Sequence, residues 1–140
     1  MSLAVSPMTQ QDLLPVIALW SHTEGVGLNE SDSPDRLQAY LLRNPGLSLV
    51  VRDGDQVVGA VLCGHDGRRG YLHHLAVTPA YRKRGLGRQM VEACLASLRG
   101  VGIQKCNLFI YVDNEPGEQF WKQCGWSRRS DLHVLQRACC

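Results

Sequence analysis

A strand-like run, a basic glycine-containing loop and a helix-like run follow one another without interruption in HLAVTPAYRKRGLGRQMVEACL. This is a phosphate-binding arrangement, because the first N–H groups of a helix lack intrahelical partners and sit at the positive end of its macrodipole. Gly85 and Gly87 carry no Cβ to hold a phosphate off the backbone, and Arg82, Lys83, Arg84 and Arg88 add positive charge. The segment favours a ligand bearing pyrophosphate. Two common nucleotide loops do not fit. The GK[ST] of a P-loop is absent. Gly85-Leu86-Gly87 is followed by Arg88-Gln89-Met90, without the third glycine of a dinucleotide fingerprint, and about twenty residues on stands Asn107 rather than an acid. The competing reading of the loop is a solvated turn whose charges serve solubility.

Two further groups could move a proton. His73 and His74 stand side by side in YLHHLAV, and an imidazole titrates close to neutral pH. Adjacent strand residues point to opposite faces, so at most one of them can face a cleft unless the strand bulges. Glu24 lies in the polar stretch HTEGVGLNESD, where together with Glu30 and Asp32 it could attract a cationic amine. The competing readings are a packed histidine and a surface acid. The six cysteines (Cys63, Cys94, Cys106, Cys124, Cys139, Cys140) form no C-x-x-C pair and have no histidine at metal-ligand spacing. They read as reduced thiols in a core or a tail, and no metal is expected.

The elements that must position these groups follow from composition and periodicity. A chain of 140 residues, 44% hydrophobic and 20% charged, is expected to fold as one domain over residues 1–140. A net charge of +2 is too small to hold nucleic acid by its whole surface. No apolar run reaches the ~18 residues that span a bilayer, and the N-terminus lacks a secretion pattern, so a cytoplasmic protein without membrane partners is expected. Leu13, Val16, Ile17 and Trp20 mark a helix, with Asp12 preferred to Thr9 as its cap because Pro15 then falls in the first turn. A second helix has Ser33 as cap and Pro34 at its first position, and ends at Asn44-Pro45-Gly46. SLVVR and QVVGAVLCG flank the turn Asp53-Gly54-Asp55, and a third strand runs from Tyr71 to Val77. A patterned helix from Leu86, a strand over 105–112, a short helix capped by Asn114 and a last strand ending near Arg137 complete the order. The strand–helix–strand crossover makes 71–77 and 105–112 parallel within an otherwise antiparallel sheet.

At this point the sequence resembles the GNAT superfamily of N-acetyltransferases. Arg82-Lys83-Arg84-Gly85-Leu86-Gly87 is similar to that family's acetyl-coenzyme A signature of Arg or Gln, any two residues, Gly, any residue, then Gly or Ala. Asn114, Phe120, Trp121, Gly125 and Trp126 follow its downstream pattern of Asn, paired aromatics and Gly-aromatic. The resemblance implies an α+β (mixed α/β) GNAT-like fold: a central, twisted, mostly antiparallel sheet with one splayed parallel pair and helices on both faces. It also implies acetyl-CoA as co-substrate, with Leu75, Ala76 and Val77 meeting pantetheine and acetyl through main-chain groups. Arg82, Lys83, Arg84, Gly85, Leu86, Gly87 and Arg88 are then expected to cradle the pyrophosphate, Asn114 to bond the coenzyme arm and Trp121 to wall the thioester pocket.

Family members usually transfer acetyl directly to an amine. A lysine-like amine of pKa about 10.4 must lose a proton first, so a base is expected, with His73 and Glu24 as candidates and His74 behind them. The N–H of Val77 or of its strand neighbour is expected to stabilise the oxyanion. Many relatives carry Tyr where Trp121 stands, and an indole N–H cannot deliver a proton at neutral pH. The acid is unassigned between Tyr111, Cys124, water and the attacking ammonium. The leading reading is an acetyl-CoA-dependent N-acetyltransferase acting on a primary amine of a small molecule, peptide or protein. A non-catalytic acyl-CoA-binding sensor is the alternative, with a small nucleic-acid binder third. The chain is compatible with a monomer or a homodimer.

Overall fold

The computed structural model describes residues 3–140. Its strands are β1 (Leu3–Pro7), β2 (Leu49–Asp53), β3 (Gln56–His65), β4 (Gly70–Val77) and β5 (Cys106–Leu108). Its helices are α1 (Leu13–Ser21), α2 (Pro34–Arg43), α3 (Leu86–Gly100) and α4 (Glu115–Gln123), with 3-10 turns at Gln10–Asp12, Glu30–Asp32 and Pro79–Tyr81. The strands form one sheet in the order β1-β2-β3-β4-β5, antiparallel except for the β4–β5 pair. This is the expected α+β architecture. Two compact units make up the chain, one ending at Phe109 and the other starting at Ile110.

In the first unit the sheet is covered on both faces, and alternation along β3 shows which residues go where. Ala60 and Leu62 share a core cluster with Leu13, Val16 and Trp20 of α1 and Leu37 of α2. A Cβ on Gly59 would lie 3.1 Å from Met90 of α3, so the odd positions of β3 face the other helix. Gly70 of β4 has the same role, since a Cβ there would come within 2.7 Å of Leu98. The stripe Leu86, Met90, Val91, Cys94 and Leu98 buries α3 against this second face.

Local signals placed most of the ends. Ser33 Oγ accepts the Arg36 N–H at 3.3 Å and Pro34 opens α2. Asp12 stands at the cap position of α1, but its carboxylate accepts from the Thr9 N–H at 2.8 Å and from Arg52 Nη2 at 2.6 Å.

Three expectations need correction. β1 was not foreseen: LAVSP is short and weakly patterned, and becomes a strand by pairing with β2 from Leu3↔Asp53 to Pro7↔Leu49. β5 closes at Leu108 instead of reaching 112, and Phe109, Tyr111 and Val112 are exposed. The last strand is absent among the described residues. Residues 126–140 contain no strand, and Leu132, Val134 and Leu135 are exposed, because alternation makes a strand only where an open edge accepts it.

In the second unit α4 is capped by Asn114, whose Oδ1 accepts the Gly117 N–H at 3.0 Å. It ends at Gly125 (φ 93°), where the Trp126 N–H returns to the Trp121 carbonyl at 3.0 Å. Trp121 packs edge-on against Phe120 and Trp126, with centroids at 5.3 and 5.1 Å. No helix among the described residues is long and apolar enough to cross a membrane.

Candidate active site

The turn from β4 into α3 is shaped by its own polar groups. The Thr78 N–H donates to the Val58 carbonyl at 2.8 Å and keeps the end of β4 on β3. Arg82 Nε donates back to the Val77 carbonyl at 2.8 Å, Arg84 stacks 5.0 Å from the Tyr81 ring centroid, and the Tyr81 hydroxyl donates to Asp53. Lys83 (φ 62°) and Gly85 (φ 79°) then turn the chain through left-handed conformations into the helix.

No side chain caps α3. The first main-chain bond of the helix runs from the Gln89 N–H to the Gly85 carbonyl at 2.9 Å, so the amides of Leu86, Gly87 and Arg88 precede the helical ladder. A Cβ on Gly85 would meet nothing within 4 Å. Arg82, Lys83, Arg84 and Arg88 are all exposed around this end. Uncapped amides, open space and four cations together fit a diphosphate.

Beside this turn the sheet opens. β4 pairs with β5 only from Gly70 to Leu72, so His73 to Val77 continue without a β5 partner. Along this stretch Ala76 sends its methyl into the core, while Leu75 and Val77 are half-buried. A main chain without a partner on this side can accept an extended ligand as a further strand.

The two histidines lie where the strands diverge, and the strand does bulge between them. Leu62 pairs with His73 and Ala60 with Ala76, so β4 carries one more residue than β3 across this interval. The extra residue is absorbed by His74, at φ 60°. The bulge removes the alternation that would separate the rings, and both turn to the α1–α2 face. His73 lies 6.5 Å from Tyr40 of α2, stacks 6.2 Å from Tyr71 at 4°, and is 6.1 Å from Phe109. His74 meets the Trp20 ring edge-on at 5.0 Å, and its Nε2 lies 3.0 Å from Asp32 Oδ1. Burial, reinforced by the neighbouring His74, holds His73 below the ordinary histidine value of 6.5, against the opposing pull of Asp32. Burial likewise raises the Tyr40 phenol.

Of the remaining sequence candidates, Glu24 is exposed in the turn after α1. Asn114 and Trp121 belong to the second unit, where Asn114 serves as a helix cap. What residue spacing did not reveal is the partnership of Asp32 with His74. These residues are 42 positions apart, and the sequence groups Asp32 with Glu24 and Glu30 as charges that could attract a cationic amine. The one available signal was the Asn29-x-x-Asp32 spacing of a capping box, which marks a turn rather than a contact with β4. A separate open groove of about 430 Å³, between α1 and the start of β3, is lined by Leu19, His22, Thr23, Val57 and Thr78 and includes neither His73 nor His74.

Comparison with known proteins gives a consistent picture. The sequence profile of the Acetyltransferase (GNAT) family matches residues 14–126. An acetyltransferase of Yersinia pestis (strain Pestoides F) is 33% identical over 107 residues, covering 76% of this chain and 74% of its own. Among solved structures, Ard1 from Thermoplasma volcanium superposes with a TM-score of 0.81 at 16% identity, over 93% of this chain and 86% of its own. The PaiA N-acetyltransferase from Thermoplasma acidophilum, solved in complex with coenzyme A, gives 0.74 at 19% identity, over 88% of each chain. At these identities the two structures speak for the fold.

Proposed function

We propose, for a chain that belongs to the acetyltransferase (GNAT) family, that it moves the acetyl group of acetyl-CoA directly onto a primary amine of a small molecule, peptide or protein. The observation that carries this reading is the uncapped start of α3, with its four exposed cations, at the end of a strand whose edge is open. In this reading the amides of Leu86, Gly87 and Arg88 hold the pyrophosphate with Arg82, Lys83 and Arg84, and the β4 edge at Leu75, Ala76 and Val77 holds the pantetheine arm. Asn114 and Trp121 enter as coenzyme contacts through the family resemblance alone. The family match from 14 to 126 supports treating the two units as one N-acetyltransferase domain.

When bound, acetyl-CoA supplies the activated acyl group. The chain's own work is to orient an amine and take its proton. Between the two candidate bases, the exposure of Glu24 and the half-buried, ring-lined position of His73 favour His73. Because burial holds this imidazole below its ordinary value of 6.5, its lone pair is free near neutral pH to take the proton from the acceptor's ammonium, which then attacks the thioester as the free amine.

Two measurements test the reading. Coenzyme at a hundredfold its Kd adds about 2.7 kcal/mol, a rise in Tm of roughly 5 to 10 °C for a chain of this size. Gly87→Glu, which puts bulk and negative charge among the uncapped amides, is expected to abolish that rise and leave the apo Tm within a few degrees. Acceptor-dependent thiol release across a panel of amines then separates an enzyme from a sensor. Trp121, standing where many relatives have Tyr, makes the sensor the second reading. A coenzyme-induced rise in Tm without thiol release from any amine would establish it instead.

A further inference from the structure

The most strained residue near the proposed base is His74. A non-glycine residue at φ 60° is strained and persists only where its surroundings fix it. Here the Trp20 ring packs edge-on with its centroid 5.0 Å from that of the imidazole, and the Asp32 carboxylate lies 3.0 Å from Nε2. The two side chains of the pair are 17% and 7% exposed, so little water competes for the bond. Asp32 is committed on both oxygens: Oδ2 accepts the Asn29 N–H at 3.0 Å and closes the 3-10 turn, while Oδ1 faces His74. The bond therefore ties the polar segment 22–32 to the one place where β4 departs from regular alternation. Glycine or asparagine would satisfy a left-handed bulge, so an imidazole paired with a buried acid exceeds what the backbone requires.

We propose that the Asp32–His74 pair is a positioning device for acetyl transfer: it locks the β4 bulge and thereby holds the His73 ring on the α1–α2 face, in the orientation from which it accepts the proton. This rests on the reading of His73 as the base. The groups facing His73 are Tyr71 and His74 from β4, Tyr40 from α2, Phe109 beyond β5, and Asp32 from the 3-10 turn. Asp32 and the His74 it holds are the groups among them that act on His73 through charge. With its Nε2 proton directed at Asp32, His74 is fixed as a donor on that side, which leaves His73 as the imidazole free to cycle.

The test uses the full chain and has one arm that requires no activity. Imidazole NMR of the apo protein follows the His73 titration in wild type and in Asp32→Asn. The proposal expects a shifted His73 midpoint and the loss of a protected His74 Nε2–H signal. His74→Asn, which tolerates the positive φ, is the second variant should Asp32→Asn fold poorly. An unmoved His73 midpoint in both variants overturns the coupling. The kinetic arm is a double-mutant cycle. Asp32→Asn is expected to lower kcat about tenfold while leaving the KM for acetyl-CoA within twofold, and to have no further effect in a His73→Gln background. Multiplicative losses in the double mutant, or equal losses in kcat and coenzyme affinity, overturn the positioning role. Wild type that binds coenzyme but releases no thiol with any amine overturns the transfer reading instead, and the NMR arm still judges the coupling.

Discussion

At the residue scale, environment has sorted two chemically identical neighbours. His73 lies among rings, whereas His74 meets the Asp32 carboxylate as well as the Trp20 ring, a distinction that the dipeptide itself does not contain. Burial, and then the adjacent His74, depresses His73, so the acid limb of kcat/KM should have its midpoint below 6.5. A pH–rate profile checks this, and His73→Gln should remove the limb; a limb unchanged in that variant assigns the base elsewhere. Asn44 makes a structural counterpart. It is 4% exposed, its Oδ1 accepts the His65 N–H at 3.0 Å, and its Nδ2 donates to the Tyr40 carbonyl at 3.3 Å. Asn44→Ala strands the His65 donor and should destabilise by about 1–3 kcal/mol in urea unfolding.

At the element scale, α3 and the strand before it were legible because each carries its own period and its own stop. α3 has its apolar stripe and a C-terminal turn at Gly102, and β4 ends at Thr78-Pro79. The close packing of α3 on β4 was not visible in either element alone. Gly70→Ala would drive a methyl into Leu98, and overpacking of this kind should cost roughly 1–3 kcal/mol by chemical denaturation. Gly85→Ala has open space around it but requires φ 79°, so it should cost about 1–2 kcal/mol through backbone strain alone. A Gly70 variant as stable as wild type would mean that α3 can slide on the sheet. The short reach of β5 leaves His73 to Val77 of β4 without a β5 partner, and a run of β-prone residues such as KCNLFIYV does not announce where pairing stops.

At the scale of the whole molecule, stability should fall in two stages as pH is lowered. His73 has a folded value below its unfolded 6.5, so the unfolded chain binds more protons in the window beneath 6.5 and stability drops on acidification through it. Asp12 is pushed up by burial, but its bonds to Arg52 and Thr9 outweigh that and hold it below 3.8; its contribution is complete above 3.8 and is lost as pH falls below that value. Tm measured against pH should show both steps, with His73→Gln removing the upper one and Arg52→Met weakening the lower. The sequence alone determined the order of the central elements, the Ser33 and Asn114 caps, and the basic, glycine-containing loop between β4 and α3. These depend on interactions within a few residues, where spacing and side-chain type suffice. Only the tertiary structure decided that β1 joins the sheet, that the expected final strand does not form, that β4 bulges at His74, and that Asp32 meets it from 42 positions away. Each of those outcomes depends on an edge, a register or a partner supplied by distant chain, and local periodicity carries no information about which distant group will arrive.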